Sequence, residues 1–385
     1  MHQNILIVAR DFKDIKIGDI MLFWVLLDGF FFLAYFIGMY CLKQERDINI
    51  ISVFLMIVLT FFTIIREGVW SDYYSYVELF YTDTSFLHQE PFFLLSIDIL
   101  KAMGFSSQMM FLVYGIAVNT LFFRGIQHYF LKAKERLTAV LLFESLFCAW
   151  MFTINGLRQG MAMAIIFWGF QYLENKQIRK FILCIIIATL FHYSAIISLI
   201  MIFLYKKNIS KIYLFLLIVI SYVVGLQLDI ANDIIVPILD FTADAIGIGS
   251  AYVRYAISDQ WSVQGGSATA AMGMGALTTI LLSLVVLLFI PMKDANTRFV
   301  ANLIGIALCI RGVFWFSVPL MRLRYYFEMF LIIAVVLSTH RIAFEHRRVF
   351  TFGWVFLYIL LHLLSIYIAG NTQNIDFGIN LNFIE

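Results

Sequence analysis

The sequence predicts an all-α polytopic membrane protein, and three observations carry that prediction. Apolar residues make up 62% of the 385 residues and charged residues only 14%, whereas a soluble domain carries about a quarter charged residues. Mean hydropathy is +0.89. Apolar runs of about 20 residues recur along the chain, the length that crosses a hydrocarbon core of ~30 Å. Length therefore counts spans, and residues 1–385 read as a single integral membrane domain.

Spans are expected at 21–42, 48–65, 107–123, 137–154, 159–173, 212–227, 271–291, 299–318, 325–339 and 349–369, about ten in all. The first begins only near Met21 and lacks a small-residue cleavage pattern, so it reads as a retained helix. The loops 43–47, 124–136, 174–180, 205–211, 292–298 and 340–348 hold 17 of the 27 Lys and Arg. Basic residues stay cytoplasmic, so these loops are expected inside. Segments 66–106 and 228–270 are expected outside. Up to residue 90 the first carries only Arg66 against Glu67, Asp72, Glu78, Asp83 and Glu90, and the second carries Arg254 against five Asp. The tail, free of Lys and Arg, joins them; the N-terminus would follow, against Arg10, Lys13 and Lys16.

Segment 181–204 has basic loops at both ends, which a single span cannot keep on one side. A re-entrant hairpin can, with arms of about 11 residues turning at Phe191-His192-Tyr193. A single span is the competing reading; either way His192 lies deep. Glu90-Pro91 opens an amphipathic helix over FFLLSIDILKAMG, with proline in its first turn.

Ionisable residues inside spans need partners. Asp28, Glu144 and His362 read as structural, paired with buried hydroxyls, an arginine or a neighbouring helix. Glu328 follows Arg324 by four residues, the spacing of a helical ion pair. The outer arginines Arg66, Arg158, Arg311, Arg322 and Arg324 gather on the face where the positive-inside rule disfavours them, which points to an anion. Guanidinium groups grip phosphate with a bidentate fork, and Arg158 stands in the first turn of a helix. The competing reading pairs these arginines with Glu67, Asp72 and Glu90. The stretch REGVWSDYYSYVELF sets carboxylates beside rings able to stack on sugars, with Trp70, Tyr73, Tyr76 and the later Tyr325 as candidates. Neither HExxH nor DxD occurs and the histidines are scattered, so neither metal nor cofactor is expected at the site. Cys41, Cys148, Cys184 and Cys309 lie in apolar segments without a CxxC pair. The near-neutral net charge of +2 and the lack of a basic, aromatic groove leave no nucleic-acid partner in view.

Four stretches together resemble the EpsG/Wzy family of bacterial polysaccharide polymerases. They are Arg66…Gly68…Asp72-Tyr73…Tyr76 with Glu90-Pro91-Phe92-Phe93; Asn155-Gly156-Leu157-Arg158-Gln159-Gly160-Met161-Ala162; Phe191-His192-Tyr193-Ser194-Ala195; and Arg322-x-Arg324-Tyr325-Tyr326. The chain departs from the family pattern at Val69-Trp70-Ser71. The resemblance implies a GT-C-like membrane glycosyltransferase of the bacterial cytoplasmic (inner) membrane, working at its periplasmic or outer face. Its substrates would be undecaprenyl-diphosphate-linked oligosaccharides, its companions a chain-length regulator and a flippase. On that reading Arg158, Arg322 and Arg324, with Arg66 or Arg311, hold the diphosphate, and Gln159 and His192 position it or a sugar. Asp72 is the first choice of general base and Glu90 the second, with His192 as a further candidate. A ligase using the same donor and a lipid-linked oligosaccharide transporter are the alternatives; no inverted repeat favours the latter.

Overall fold

The structure is a computed structural model that describes residues 17–69, 72–82, 90–205, 207–227, 236–238, 241, 274–342, 344–370 and 378–384. Trp70 and nearly all of 228–270 lie outside these residues. The chain is overwhelmingly helical. α1 (Ile17–Phe36) runs on through a π turn, Ile37–Cys41, and is followed by α2 (Glu45–Ile65), α3 (Asp72–Tyr81), α4 (Pro91–Ala102), α5 (Ser107–Tyr129), α6 (Ala133–Ser145), α7 (Trp150–Asn155) and α8 (Leu157–Glu174). α9 (Ile178–Phe191), a 3₁₀ turn Tyr193–Ser198, α10 (Leu199–Leu204), α11 (Lys211–Leu226), α12 (Met274–Phe289) and α13 (Ala295–Val313) come next. α14 (Val318–Met321), a 3₁₀ turn Arg322–Arg324, α15 (Tyr325–Glu328), α16 (Leu331–Thr339) and α17 (Phe344–Gly370) complete the helices.

Among the described residues, four helical stretches are long and apolar enough to cross a membrane: Met21–Cys41, Glu45–Ile65, Ser107–Tyr129 and His346–Tyr367. Other expected spans are shorter or broken. The run 137–154 is interrupted at residues 146–149, between α6 and α7, and 325–339 is divided between α15 and α16. Breaks at these positions free backbone groups that only other protein groups can satisfy in an apolar interior. Leu146 N–H accordingly reaches Leu142 O at 2.9 Å, and Ala149 N–H reaches Leu146 O at 2.9 Å.

The basic loops converge on one pole. Glu45 accepts from Ala133 N–H at 2.6 Å, Lys134 Nζ donates to Met39 O at 2.8 Å, and Glu135 meets His340 at 3.1 Å. Lys211 Nζ donates to Ile290 O at 2.6 Å, and Asn302 donates to Lys207 O at 3.0 Å. Glu174 meets His128 at 3.0 Å, and its carbonyl accepts from Tyr205 Oη at 3.0 Å. The last bond decides the course of 178–204. One continuous helix would separate its ends by about 39 Å at ~1.5 Å per residue, yet Tyr205 returns to Glu174, four residues before α9 begins. The chain therefore doubles back, and it does so at His192, whose extended backbone (φ −157°, ψ 115°) ends α9.

At the opposite pole a two-residue ladder pairs Arg66–Glu67 with Gly378–Ile379, Arg66 opposite Ile379. Asn380 N–H continues it to Ile65 O at 2.8 Å, and Ser106 N–H reaches Phe383 O at 3.1 Å. This two-residue strand of the tail is a small addition to an all-α fold. Its sequence signal is the alternation in GINLNFI, too short to register beside the helical runs. In the interior, Asp28, Glu144 and His362 meet one another rather than a hydroxyl or an arginine. His362 Nδ1 lies 2.9 Å from Asp28 Oδ2 and 3.7 Å from Glu144 Oε1.

Candidate functional site

The site grows from the residue that precedes a proline. Pro91 bars Glu90 from helical backbone, so Glu90 stays extended (φ −62°, ψ 130°) as the N-cap of α4. Pro91 itself loses nothing at the first helical position, where its missing N–H would have had no partner. Glu90 is 3% exposed and grips two groups from distant segments. Its Oε2 accepts from Arg158 Nη1 at 2.7 Å, and its Oε1 lies 2.6 Å from His192 Nδ1. Burial pushes the Glu90 carboxyl up. The hydrogen bond from His192 and the charges of His192 and Arg158 outweigh that and hold it at about 2.

Arg158 occupies the first turn of α8, whose cap, Gly156, offers no side-chain acceptor to the helix's leading N–H groups. Besides Glu90, the guanidinium hydrogen-bonds the Tyr76 hydroxyl and lies 5.5 Å over the Phe93 ring. His192 comes from the turn between the two arms. Phe191 stacks edge-on against Phe92 at 5.6 Å, which braces that turn on α4. The imidazole faces the charges of both Arg158 and Arg322.

Arg322 arrives on the 3₁₀ turn after Pro319. Its carbonyl accepts from Gln159 Nε2 at 3.0 Å, which ties the turn to α8, and its guanidinium lies 5.9 Å over the Phe152 ring. Arg322 forms no ion pair with a carboxylate among the described residues. Tyr326 Oη, 3.1 Å from Ser194 Oγ, fastens the same region to the second arm of the hairpin.

Four segments thus bring Glu90, Arg158, Gln159, His192, Arg322 and Tyr76 together. Asp72 stands close by, its N–H donating to Asn155 Oδ1 at 3.2 Å, three residues before Arg158. The other predicted arginines have different surroundings. Arg66 is 1% exposed; it donates to the carbonyls of Thr63 and Ile154, the latter at 2.8 Å, and packs on Phe111. Arg324 pairs with Glu328 at 2.6 Å, the i,i+4 partnership its spacing predicts, and donates to Met321 O at 3.0 Å. Arg311 lies beside that pair, and with Ser283 they line a cavity of about 10 Å³. A 3₁₀ turn rotates each residue by about 120°, so two residues apart point to different faces. Arg322 therefore looks toward His192 while Arg324 looks toward Glu328.

The predicted aromatic residues are mostly interior. Tyr73 is stacked on Phe111 at 4.7 Å, and its hydroxyl donates to Gln108 at 3.4 Å. Tyr325 lies against Phe152 at 4.2 Å. Among the described ones, Tyr76 alone touches the Glu90–Arg158 group. Phe93, Asn155, Ser194 and Tyr326 also bear on the site and lie inside the four stretches; bonding partners so far apart in sequence leave no local signal.

Fold and site together define a class: an all-α membrane protein whose carboxylate, imidazole and arginines converge at the pole opposite its basic loops. The chain belongs to the EpsG family, whose model matches residues 49–377, the family of Wzy-like polysaccharide polymerases. Membership gives it a glycosyltransferase-type role in polysaccharide biosynthesis within a membrane. No curated protein and no solved structure matches the chain.

Proposed function

We propose that this protein polymerises a glycan by transferring the growing chain from undecaprenyl diphosphate to a lipid-linked repeat unit, without a metal, through a GT-C-like helical scaffold. The observation that carries the reading is the Glu90 bridge, which holds Arg158 and His192 side by side at the turn of a hairpin whose feet stand among the basic loops. Basic loops belong inside, so that turn faces the outer side of the cytoplasmic membrane, where lipid-linked repeat units would be met.

In this mechanism Arg158 and Arg322 hold the diphosphate, with the leading N–H groups of α8 adding a favourable dipole. Glu90 fixes His192 through Nδ1 and leaves Nε2 to take the proton of the acceptor hydroxyl. The hydroxyl oxygen forms the new bond to the anomeric carbon as the bond from that carbon to phosphate breaks. The electron pair leaves on undecaprenyl diphosphate, whose charge the two arginines receive. The grip on Nδ1 favours His192 over Asp72 as base, with Glu90 in the orienting role. Asp72, next to Tyr76 and Asn155, is well placed for the acceptor sugar.

A single defined lipid-linked repeat unit tests the reading. Purified protein should convert it into a ladder and release undecaprenyl diphosphate. Extension only after a second kind of acceptor is added would make the protein a ligase, and movement of the lipid without bond cleavage would make it a transporter.

A further inference from the structure

A second ionisable cluster sits in the interior and shares no residue with the Glu90 site. Asp28 on α1, Glu144 at the end of α6 and His362 on α17 are each at most 1% exposed. One ligand atom from each lies within 4.8 Å of the others. As carboxylates, Asp28 and Glu144 have no donor between them. Apart from the facing Asp28 carboxyl, neither Glu144 oxygen has a hydrogen-bond partner, and no Lys or Arg pairs with either acid among the described residues. The Trp24 ring stands edge-on to His362 at 6.2 Å and to Trp150 at 6.3 Å, walling the cluster with aromatic carbon.

Two negative charges side by side in such surroundings are costly, and a protonated imidazole offsets only one of them. A dication does better: two carboxylates, one neutral imidazole and a charge of two sum to zero. The spacing also suits an ion. Ligands about 2.1 Å from a tetrahedral centre stand about 3.4 Å apart. The distances here, 2.9 Å and 3.7 Å, fall on either side of that edge length. Imidazole beside carboxylates selects a zinc-like ion over magnesium or calcium, which favour oxygen alone.

We propose that Asp28, Glu144 and His362 bind one divalent transition-metal ion of the zinc class, which clamps α1, α6 and α17 together. Its role is structural and independent of the proposed glycan transfer. His362 Nε2 is likewise without a partner, so a ring flip presents either nitrogen to the ion.

The detergent-solubilised full chain tests this. It is stripped with chelator, loaded with excess zinc or cobalt(II), and desalted before metal is counted. The wild-type protein should retain one ion per chain, gain thermal stability on loading, and show the visible absorption of tetrahedral cobalt(II). Asp28→Asn and His362→Gln should each lower retained metal by more than about tenfold. Equal metal in wild type and variants overturns the site. So does a wild-type protein whose metal content and Tm do not respond to zinc, and that result would leave a proton shared between the two carboxylates as the occupant. The wild-type measurements decide the matter even where a variant fails to fold.

Discussion

Arg158 shows how one side chain can satisfy two readings at once. Its pairing with Glu90 at 2.7 Å is the carboxylate partnership that competed with anion binding. Glu90, however, divides its charge between Arg158 and His192, and Arg322 adds a second cation with no described carboxylate of its own. The group therefore retains positive charge for a diphosphate. Arg158→Lys keeps the charge but loses the fork that spans Glu90 and the Tyr76 hydroxyl. Polymer formation should fall by about 10²–10³-fold, as when one oriented donor is removed from a transition state. Full-length polymer from the Lys variant, measured by lipid-linked ladder analysis, would exclude bidentate phosphate binding. Glu90 makes a second prediction through its titration. A carboxylate held at about 2 against an ordinary value of 4.5 contributes stability that is complete above pH 4.5 and lost as pH falls toward 2. Below pH 4.5 the gap in Tm between wild type and Glu90→Gln should close as Glu90 takes up its proton. A gap that widens between pH 4.5 and 2 would contradict the ion pairing.

At the scale of elements, the decisive piece is the hairpin formed by α9 and the segment 193–204. It packs along α8 and delivers His192 to the N-terminal end of that helix while its feet stay at the C-terminal end, by Glu174. α7 and α8 meet end to end around Gly156, and Gly160 makes the junction close enough. A Cβ added at Gly160 would come within 2.9 Å of the Thr153 Cα, a backbone atom that cannot swing aside. Gly160→Ala should therefore push α8 off α7, at a cost of about 1–3 kcal/mol typical of overpacking. The shift would displace Arg158 and Gln159, which lie in the same turn. Thermal unfolding in detergent and polymer length should both drop; an unchanged Tm would mean that the two helices have room to part.

For the whole molecule, polarity is the main theme: one pole gathers basic loops, the other gathers the site, the tail strand and the start of α8. A cysteine introduced at Lys176 or Lys207 should react with impermeant maleimide only in inverted vesicles. One introduced at Tyr81 should react in intact cells. Labelling of residues 176 and 207 from opposite sides would require 178–204 to cross the membrane once, against the return of Tyr205 to Glu174.

From the sequence come the class, the family resemblance, the proline-opened helix at Pro91 and the Arg324–Glu328 pair, while a turn at His192 and a single span through it stay equally open there. Each of these rests on composition or on residues close in the chain, where hydropathy, i,i+4 spacing and backbone restriction act locally. Which charges meet across long stretches of chain is set by the tertiary packing. It joined Glu90 to Arg158 and His192, turned Arg324 away from Arg322, gave Arg66 to backbone carbonyls, and brought Asp28, Glu144 and His362 into one cluster. Pairing across such separations depends on how apolar helices pack. Nearly uniform apolar faces carry little information about which neighbour each will choose, so buried polar groups find partners only once the packing is set.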